Sequence, residues 1–348
     1  MSVLKMAFVG CGDIAQYMAW FARFNRRIRI AACCDRDLEK ARTFAKRFRI
    51  PMVYRDYSEL LAKENLGALY LAVPHHLHHD MLAAAIQAQI PALVEKPITR
   101  TLQEGLQIAG LAEQYQALVG VNYQYRYDAG CYALAMAVRQ GALGRVHYAR
   151  CNLAWRREQN YFNQSGWHAR LDAAGGGTLI TQGSHLLDAT LWALNEKPCS
   201  AMGYISRRIF RDVQVEDLAQ GNIELESGAL LQISSAMVAN PEQPLSIEIY
   251  GEHGTALYSD KPLPHVRFRG VRVRKSSPPV WGVHALQRSL EAYRRWVVAG
   301  TPYLTPARAS LPALATVEAL YRSAQSGRRE AVEDPSGLSY ETRGCYDS

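Results

Sequence analysis

The segment Val9-Gly10-Cys11-Gly12-Asp13-Ile14-Ala15 has the Gly-x-Gly-x-x-Ala spacing that can cradle a pyrophosphate. Gly10 permits a tight turn, Gly12 lets phosphate oxygens reach the backbone, and small Ala15 lets the following helix pack on the preceding strand. The phosphates would then meet the N–H groups and the dipole of a helix N-terminus. Cofactor contacts are therefore expected from Gly10, Cys11, Gly12, Asp13 and Ile14. Asp35 closes the next apolar run. There its carboxylate can accept the adenosine ribose hydroxyls and repel a 2′-phosphate, which favours NAD. Neighbouring Arg36 can pair with a 2′-phosphate or stack on adenine, which keeps NADP as the second candidate.

Proton chemistry has its own candidates. Val73-Pro74-His75-His76-Leu77-His78 and Val94-Glu95-Lys96-Pro97 both follow apolar runs, where the carboxyl ends of parallel strands should gather. Pro97 restricts Lys96 to an extended conformation, so its amine can bond a substrate oxygen and stabilise developing alkoxide charge. The plain alternative is an ion pair with Glu95. Further on, residues 178 to 194 have helical spacing, and Thr181, His185 and Asp188 fall at i, i+4 and i+7 on one face. His185 is the candidate general base, because an ordinary pKa near ~6.5 suits taking a proton from an alcohol. The preceding Gly175-Gly176-Gly177 should leave backbone N–H groups open. Gly183 inside the helix costs about 1 kcal/mol and calls for a packing reason or a close ligand.

These residues need elements to hold them. Apolar runs at Val3–Val9, Ile28–Cys34, Ala68–Val73, Ala92–Val94 and Leu118–Val121, with a short one near Val53, alternate with helical spacing at Ile14–Phe24, Leu38–Phe48, Tyr57–Lys63, 79–89 and 102–116. Strands separated by helices imply parallel pairing with right-handed crossovers, hence a doubly wound sheet. After a helix near Ala129–Arg139, six strands are expected between Val146 and Ser259 with short turns, a spacing that favours antiparallel pairing. Two helices, Leu286–Ala299 and Leu311–Ser326, follow. The fold class is therefore α/β: a dinucleotide-binding domain over 1–122 and a second α/β domain over 123–348. Residues beyond Asp334 are left unassigned.

The Gly-x-Gly-x-x-Ala turn, the Glu95-Lys96-Pro97 triplet and the GGGTLITQGSHLLD segment at 175–188, taken together, resemble the Gfo/Idh/MocA family. The resemblance extends to about residue 332. It implies a Rossmann domain, a second domain with a large open, predominantly antiparallel sheet, and homodimer or homotetramer contacts through that sheet. It also implies hydride transfer between a nicotinamide and a hydroxyl carbon of a sugar, nucleotide sugar or cyclitol. Carried over residue by residue, it puts Pro74, His75, His78, Glu95 and Lys96 at the cofactor, and Lys96 with His185 in the chemistry. Trp167 and His168 are placed toward the nicotinamide or substrate. One position departs from the family: where many members have Asp, this chain has Thr181, which offers a neutral hydrogen bond and no charge. That departure gives weight to a non-catalytic dinucleotide sensor as the alternative. An NAD-dependent glycosidase has no motif of its own here. Tyr125 and Arg126, at the expected domain junction, can hold substrate hydroxyls or a carboxylate, or simply pack the junction.

Composition bounds the rest. The 348 residues are 48% hydrophobic and 21% charged, enough to bury real cores. Seven cysteines without regular spacing indicate neither a disulfide framework nor a zinc site, which fits a reducing cytoplasm. In the His75–His79 cluster no nearby Asp, Glu or Cys completes a convincing coordination set, so a metal site is not expected. No apolar run approaches the ~18 residues of a membrane span. The net charge is +8, and residues 23 to 49 alone carry ten basic side chains against three acidic ones. Without a docking motif or aromatic platform this patch does not indicate nucleic acid. Arg267, Arg269, Arg272, Arg274 and Lys275 alternate with apolar residues, as in a charged edge strand.

Overall fold

The computed structural model describes residues 3–335. The first third runs β1 (Leu4–Val9), α1 (Asp13–Arg23), β2 (Ile28–Cys34), α2 (Leu38–Phe48), β3 (Met52–Tyr54), α3 (Tyr57–Lys63), β4 (Ala68–Leu71), α4 (His78–Gln87), β5 (Ala92–Val94), α5 (Leu102–Gln114) and β6 (Val119–Val121). These strands form a six-stranded parallel sheet in the order β3-β2-β1-β4-β5-β6. The order reverses between β1 and β4, and such a switch point opens a crevice at the carboxyl ends of the strands. Helix ends are chemically marked. Asp37, Asp56 and Thr101 cap α2, α3 and α5 through their side chains, whereas α1 starts at Gly12 with no side-chain cap. Under the sheet, Phe8 packs on Tyr70 with ring centroids 4.9 Å apart, and Phe44 joins them.

The chain continues with α6 (Ala129–Arg139), β7 (Val146–Ala154), the single-turn α7 (Asn160–Asn163) and α8 (Leu171–Ala174), then α9 (Ser184–Leu194). After these come β8 (Pro198–Ser206), β9 (Leu218–Leu225), β10 (Leu230–Ala236), β11 (Ser246–Gly251), β12 (Thr255–Ser259), β13 (His265–Arg269), α10 (Ala285–Ala299), α11 (Leu311–Ser326) and β14 (Glu330–Ala331). The second sheet has eight strands in the order β13-β12-β11-β7-β10-β9-β8-β14. Its neighbours are antiparallel except β7 and β10, which pair in parallel. Burial alternates along β9 and β10, so one face is packed while the other leaves Tyr148, Tyr204 and Leu230 exposed. The basic run near Arg267 does form the edge strand β13, but it stops at Gly270, whose φ of 80° breaks the strand before Arg272.

Against the expected single boundary after residue 122, the two compact units are interleaved. Among the described residues the first comprises 3–129, 162–175 and 277–310, and the second comprises 130–161, 176–276 and 311–335. A sequence boundary drawn from the end of a strand pattern cannot show that a later helix returns. Here α10 returns to the first unit, where Asn25 donates to Glu291 at 2.8 Å.

Candidate active site

In the first unit, Gly10 has φ of 85°, and a Cβ there would lie 2.2 Å from the Ala72 carbonyl oxygen. Gly10 is thus required by the fold itself. Gly12 is different: with φ of −75° it has ordinary backbone, and an added Cβ would meet nothing nearer than Lys40 Nζ at 3.9 Å. The space a side chain would occupy lies beside the uncapped N-terminus of α1, which fits a dinucleotide pyrophosphate. Asp35 Oδ2 accepts from Cys11 N at 2.9 Å and Oδ1 accepts from Asp37 N at 3.0 Å. A carboxylate has about four lone-pair positions, so both oxygens retain capacity for ribose hydroxyls. The motif and Asp35 are therefore joined by a hydrogen bond.

Charge around Asp35 is mixed. Lys40 Nζ is 4.0 Å from Oδ2, and Arg55 Nε donates to the Arg36 carbonyl at 3.2 Å. Arg36 itself is exposed. We expect Asp35→Ala to weaken NADH about tenfold or more and to raise the relative affinity for NADPH, since Arg36 and Lys40 then lack their acidic neighbour. Fluorescence titration with both dinucleotides checks this; an unchanged ratio removes Asp35 from ribose recognition.

At the other two strand ends the acid of the Glu-Lys-Pro triplet turns inward. Glu95 is buried and accepts from Tyr70 Oη at 2.5 Å and Asn122 Nδ2 at 2.6 Å. Asn122 Oδ1 in turn accepts from Ser289, whose hydroxyl is 2.7 Å from that of Tyr303. Burial pushes the Glu95 carboxyl upward, against the Tyr70 and Asn122 hydrogen bonds that hold it down. Its carboxylate is thus committed to a buried hydrogen-bonded chain.

Lys96 is half-buried by surface area, yet protein packed round its ammonium drives its pKa down to about 8, with Glu95 opposing the shift. The peptide bond to Pro97 is cis. Close by, His78 is fully buried with Nδ1 2.9 Å from the Pro97 carbonyl and Nε2 2.9 Å from that of Val73. It ties the two loops together. His75, beside Pro74, sets Nδ1 2.7 Å from the Ala174 carbonyl. Trp167 meets the His75 ring edge-on at 4.7 Å and stacks on His168 at 3.8 Å. Burial lowers the pKa of both histidines, His168 to about 4, and the Lys96 charge adds to the effect. Both imidazoles are therefore neutral beside Lys96. Among the described residues no group of three or more His, Cys, Asp or Glu is arranged to hold a metal ion.

Tyr125 and Arg126 lie in a single 3-10 turn, Gln124–Tyr127. The Arg126 guanidinium is buried and donates to the carbonyls of Leu304 at 2.9 Å and Ala309 at 2.8 Å. It ties the 304–309 segment in place, which is the packing alternative. Tyr125 is half-buried.

The second unit holds Thr181 and His185. Residues Leu179–Gly183 form a π-helical turn that runs into α9. Thr181 thus lies within the π turn and His185 in the first turn of α9. Thr181 is buried and donates to the Gly177 carbonyl at 2.6 Å. His185 is the only residue from 176 to 194 that is not buried. Gly183 is explained by packing: a Cβ would come within 3.0 Å of Ser235 on β10.

The glycine run is not open, as it was expected to be. Gly177 N donates to Glu216 Oε2 at 2.7 Å, Leu179 N donates to Oε1 at 2.9 Å, and Thr178 N donates to the Glu216 carbonyl. Tyr321 completes the cage with a 2.8 Å bond to Oε1. Glu216 thus fixes the turn that leads to His185. The available signal was an adjacent acid pair, Glu216-Asp217, in an otherwise uncharged run. We expect Glu216→Ala to destabilise the protein by about 2–4 kcal/mol, because two buried N–H groups and a hydroxyl lose their acceptor; chemical denaturation checks the value.

Comparison with known proteins agrees with this geometry. Residues 4–123 match the family described as "Oxidoreductase family, NAD-binding Rossmann fold", and residues 132–257 match the GFO/IDH/MocA C-terminal domain. The D-apiose dehydrogenase of Paraburkholderia graminis is 26% identical over 93% of this chain and 88% of its own. The 1,5-anhydro-D-fructose reductase of Ensifer adhaerens is 24% identical over 87% of this chain and 91% of its own. In fold, the chain is similar to the WlbA dehydrogenase from Bordetella pertussis in complex with NADH and UDP-GlcNAcA, with a TM-score of 0.85, 24% identity, and 95% and 99% of the two chains covered.

Proposed function

Because the chain belongs to the Gfo/Idh/MocA oxidoreductase family, we propose that it is an NAD(P)-dependent enzyme acting on a hydroxyl-bearing carbon of a sugar, nucleotide sugar or cyclitol. Gly10, Gly12, the first turn of α1 and Asp35 would hold the dinucleotide. The bound nicotinamide supplies the hydride acceptor or donor. The observation that carries the reading is Lys96: a lysine at a strand end whose pKa of about 8 makes both protonation states available near neutrality.

In the oxidative direction the substrate hydroxyl proton passes to neutral Lys96 as hydride leaves the carbon, giving a carbonyl. In the reverse direction the Lys96 ammonium returns that proton to the carbonyl oxygen. His185 is the second candidate for this proton, supported by being the one position on its helix that is not fully buried. Thr181 adds a neutral hydrogen bond and no charge. His75 and His168 are neutral and within electrostatic reach of Lys96, and Trp167 packs against both of their rings, a set of flat groups that suits a nicotinamide.

The substrate class is supported by the relatives named for apiose and anhydrofructose. Homodimer or homotetramer formation is supported by the exposed Tyr148, Tyr204 and Leu230 on the open sheet face. Cytoplasmic residence is supported by six free thiols among the described residues; no helix of the described chain is long and apolar enough to cross a membrane. Screening sugars, nucleotide sugars and cyclitols with NAD and NADP, followed by nicotinamide absorbance, tests the proposal. Binding of NADH with no turnover on any of them favours the sensor reading, which Thr181 motivates.

A further inference from the structure

Large apolar side chains stand exposed together on one side of the first unit. On α1 and its C-cap, Tyr17, Trp20 and Phe24 fall at i, i+3 and i+7, one side of the helix, and are 65%, 50% and 63% exposed. Phe21 anchors them: it is half-buried against the core, meets Trp20 edge-on with ring centroids 5.1 Å apart, and stacks on His284 at 5.0 Å. His284 belongs to the loop before α10, where Trp281 and Val283 are each 77% exposed. That loop is pinned. Val283 N donates to Gln287 Oε1 at 2.9 Å, Arg288 Nε donates to the Gly282 carbonyl at 2.9 Å, and His284 Nδ1 accepts from Leu286 N at 3.2 Å.

Single apolar side chains on a surface are ordinary, whereas a cluster of exposed rings marks a contact. The surrounding charge says of what kind. Residues 14–34 and 277–290 contain no Asp or Glu. Arg26 and Arg27 lie exposed in the turn after Phe24, beyond the helix end that Arg23 serves. Glu291, the acid that reaches Asn25 from α10, is already held by Arg294 and Arg295. A second copy fits poorly, because an isologous contact brings Arg26 and Arg27 toward their own copies. Stacked bases fit poorly too: Trp20 crosses Phe21 at 79° and Phe24 at 68°, where a nucleic-acid platform presents open ring faces.

We propose that this face docks on an anionic membrane surface. Trp and Tyr rings, apolar in body and polar at one edge, settle at the headgroup level of a bilayer. Each basic residue near an anionic surface strengthens binding by about fivefold. The contact is peripheral: the rings enter the interface, and no helix of the described chain is long and apolar enough to cross it. Trp20 is seven residues from Asp13, about 10 Å along the helix axis, so NADH affinity serves as a control for changes at Trp20.

The test is flotation of the full chain with vesicles of phosphatidylcholine alone and with vesicles of about one-third phosphatidylserine. The mixed vesicles are expected to bind the protein about tenfold or more tighter, and the difference should shrink as salt screens the arginines. Trp20→Ala with Trp281→Ala should weaken that binding about tenfold, and Arg26→Ala with Arg27→Ala about twentyfold. Both double variants should keep the parent's NADH affinity and melting temperature, showing an intact fold. Tyr204→Ala, at an exposed ring of the second unit, should leave vesicle binding unchanged. Absence of binding to the mixed vesicles, or unchanged binding in both double variants, overturns the proposal. So does a self-association that Trp20→Ala with Trp281→Ala abolishes, which assigns the face to a second copy, or oligothymidylate bound as tightly as the mixed vesicles, which assigns it to nucleic acid.

Discussion

Lys96→Ala is expected to lower turnover by about a thousandfold while NADH binds within a fewfold of the parent affinity. The size follows from general acid–base catalysis, which contributes about 10²–10⁴-fold, and the selectivity follows from the proposed action of Lys96 on the substrate. The rate of the parent enzyme in the oxidative direction should climb with pH and level off above about 8, where Lys96 has lost its proton. Lys96→Arg keeps the charge but cannot deprotonate in this range, so its rate should be low and lack that limb. A parental pH profile in either variant removes Lys96 from proton transfer.

Lys96→Met is expected to move stability in the opposite direction from activity. The folded pKa of about 8 lies below the usual lysine value of 10.5. The unfolded chain therefore binds more protons between these values, and stability rises with pH through that window. Below pH 8 the whole cost is present. Removing the amine should stabilise the cofactor-free protein at pH 7 by about 1–2 kcal/mol, after discounting for partial exposure and for the lost attraction to Glu95. The gain should fade as pH rises toward 10.5. Paired denaturation curves at pH 7 and pH 10 read it directly.

The second large effect separates two glycines of one motif. Gly12→Val places its side chain where only Lys40 Nζ is near, so folding should lose at most about 1 kcal/mol from the cap position. Cofactor affinity, in contrast, should fall more than a hundredfold, because the branched side chain fills the pyrophosphate's place. Gly10→Ala reverses the pattern: a methyl 2.2 Å from the Ala72 carbonyl oxygen at φ of 85° should cost the fold about 3 kcal/mol or more. Melting and NADH titration on both variants decide the assignment. Equal loss of stability in the two would mean that Gly12, too, is structural.

Sequence patterning reached the elements whose pattern is local. The strands from Leu4 to Val121 alternate with amphipathic helices, and their parallel sheet could be read from that alternation. The tight turn at Gly10 was legible through the motif's spacing. What escaped was carried by distant partners. Glu95 reads like a surface neighbour of Lys96 until Asn122 and Ser289 are placed against it. Arg126 reads like a ligand for hydroxyls until the 304–309 carbonyls arrive. The π turn at Leu179–Gly183 was invisible because its residue types are those of an ordinary helix, and the difference of one residue per turn is set by contacts with Glu216 and Ser235. The parallel β7–β10 pair was likewise beyond reach, because short turns between neighbours say nothing about a strand inserted from farther away.

Helix α9 is packed against α11 and β7 with every residue but His185 buried. In hydrogen-exchange experiments such a helix has no route to partial opening: its amides from 186 to 194 should exchange only when the second unit unfolds as a whole. His185 would then be carried on one of the slowest-breathing segments of the chain, and adaptation to new substrates would have to come from the segments around it.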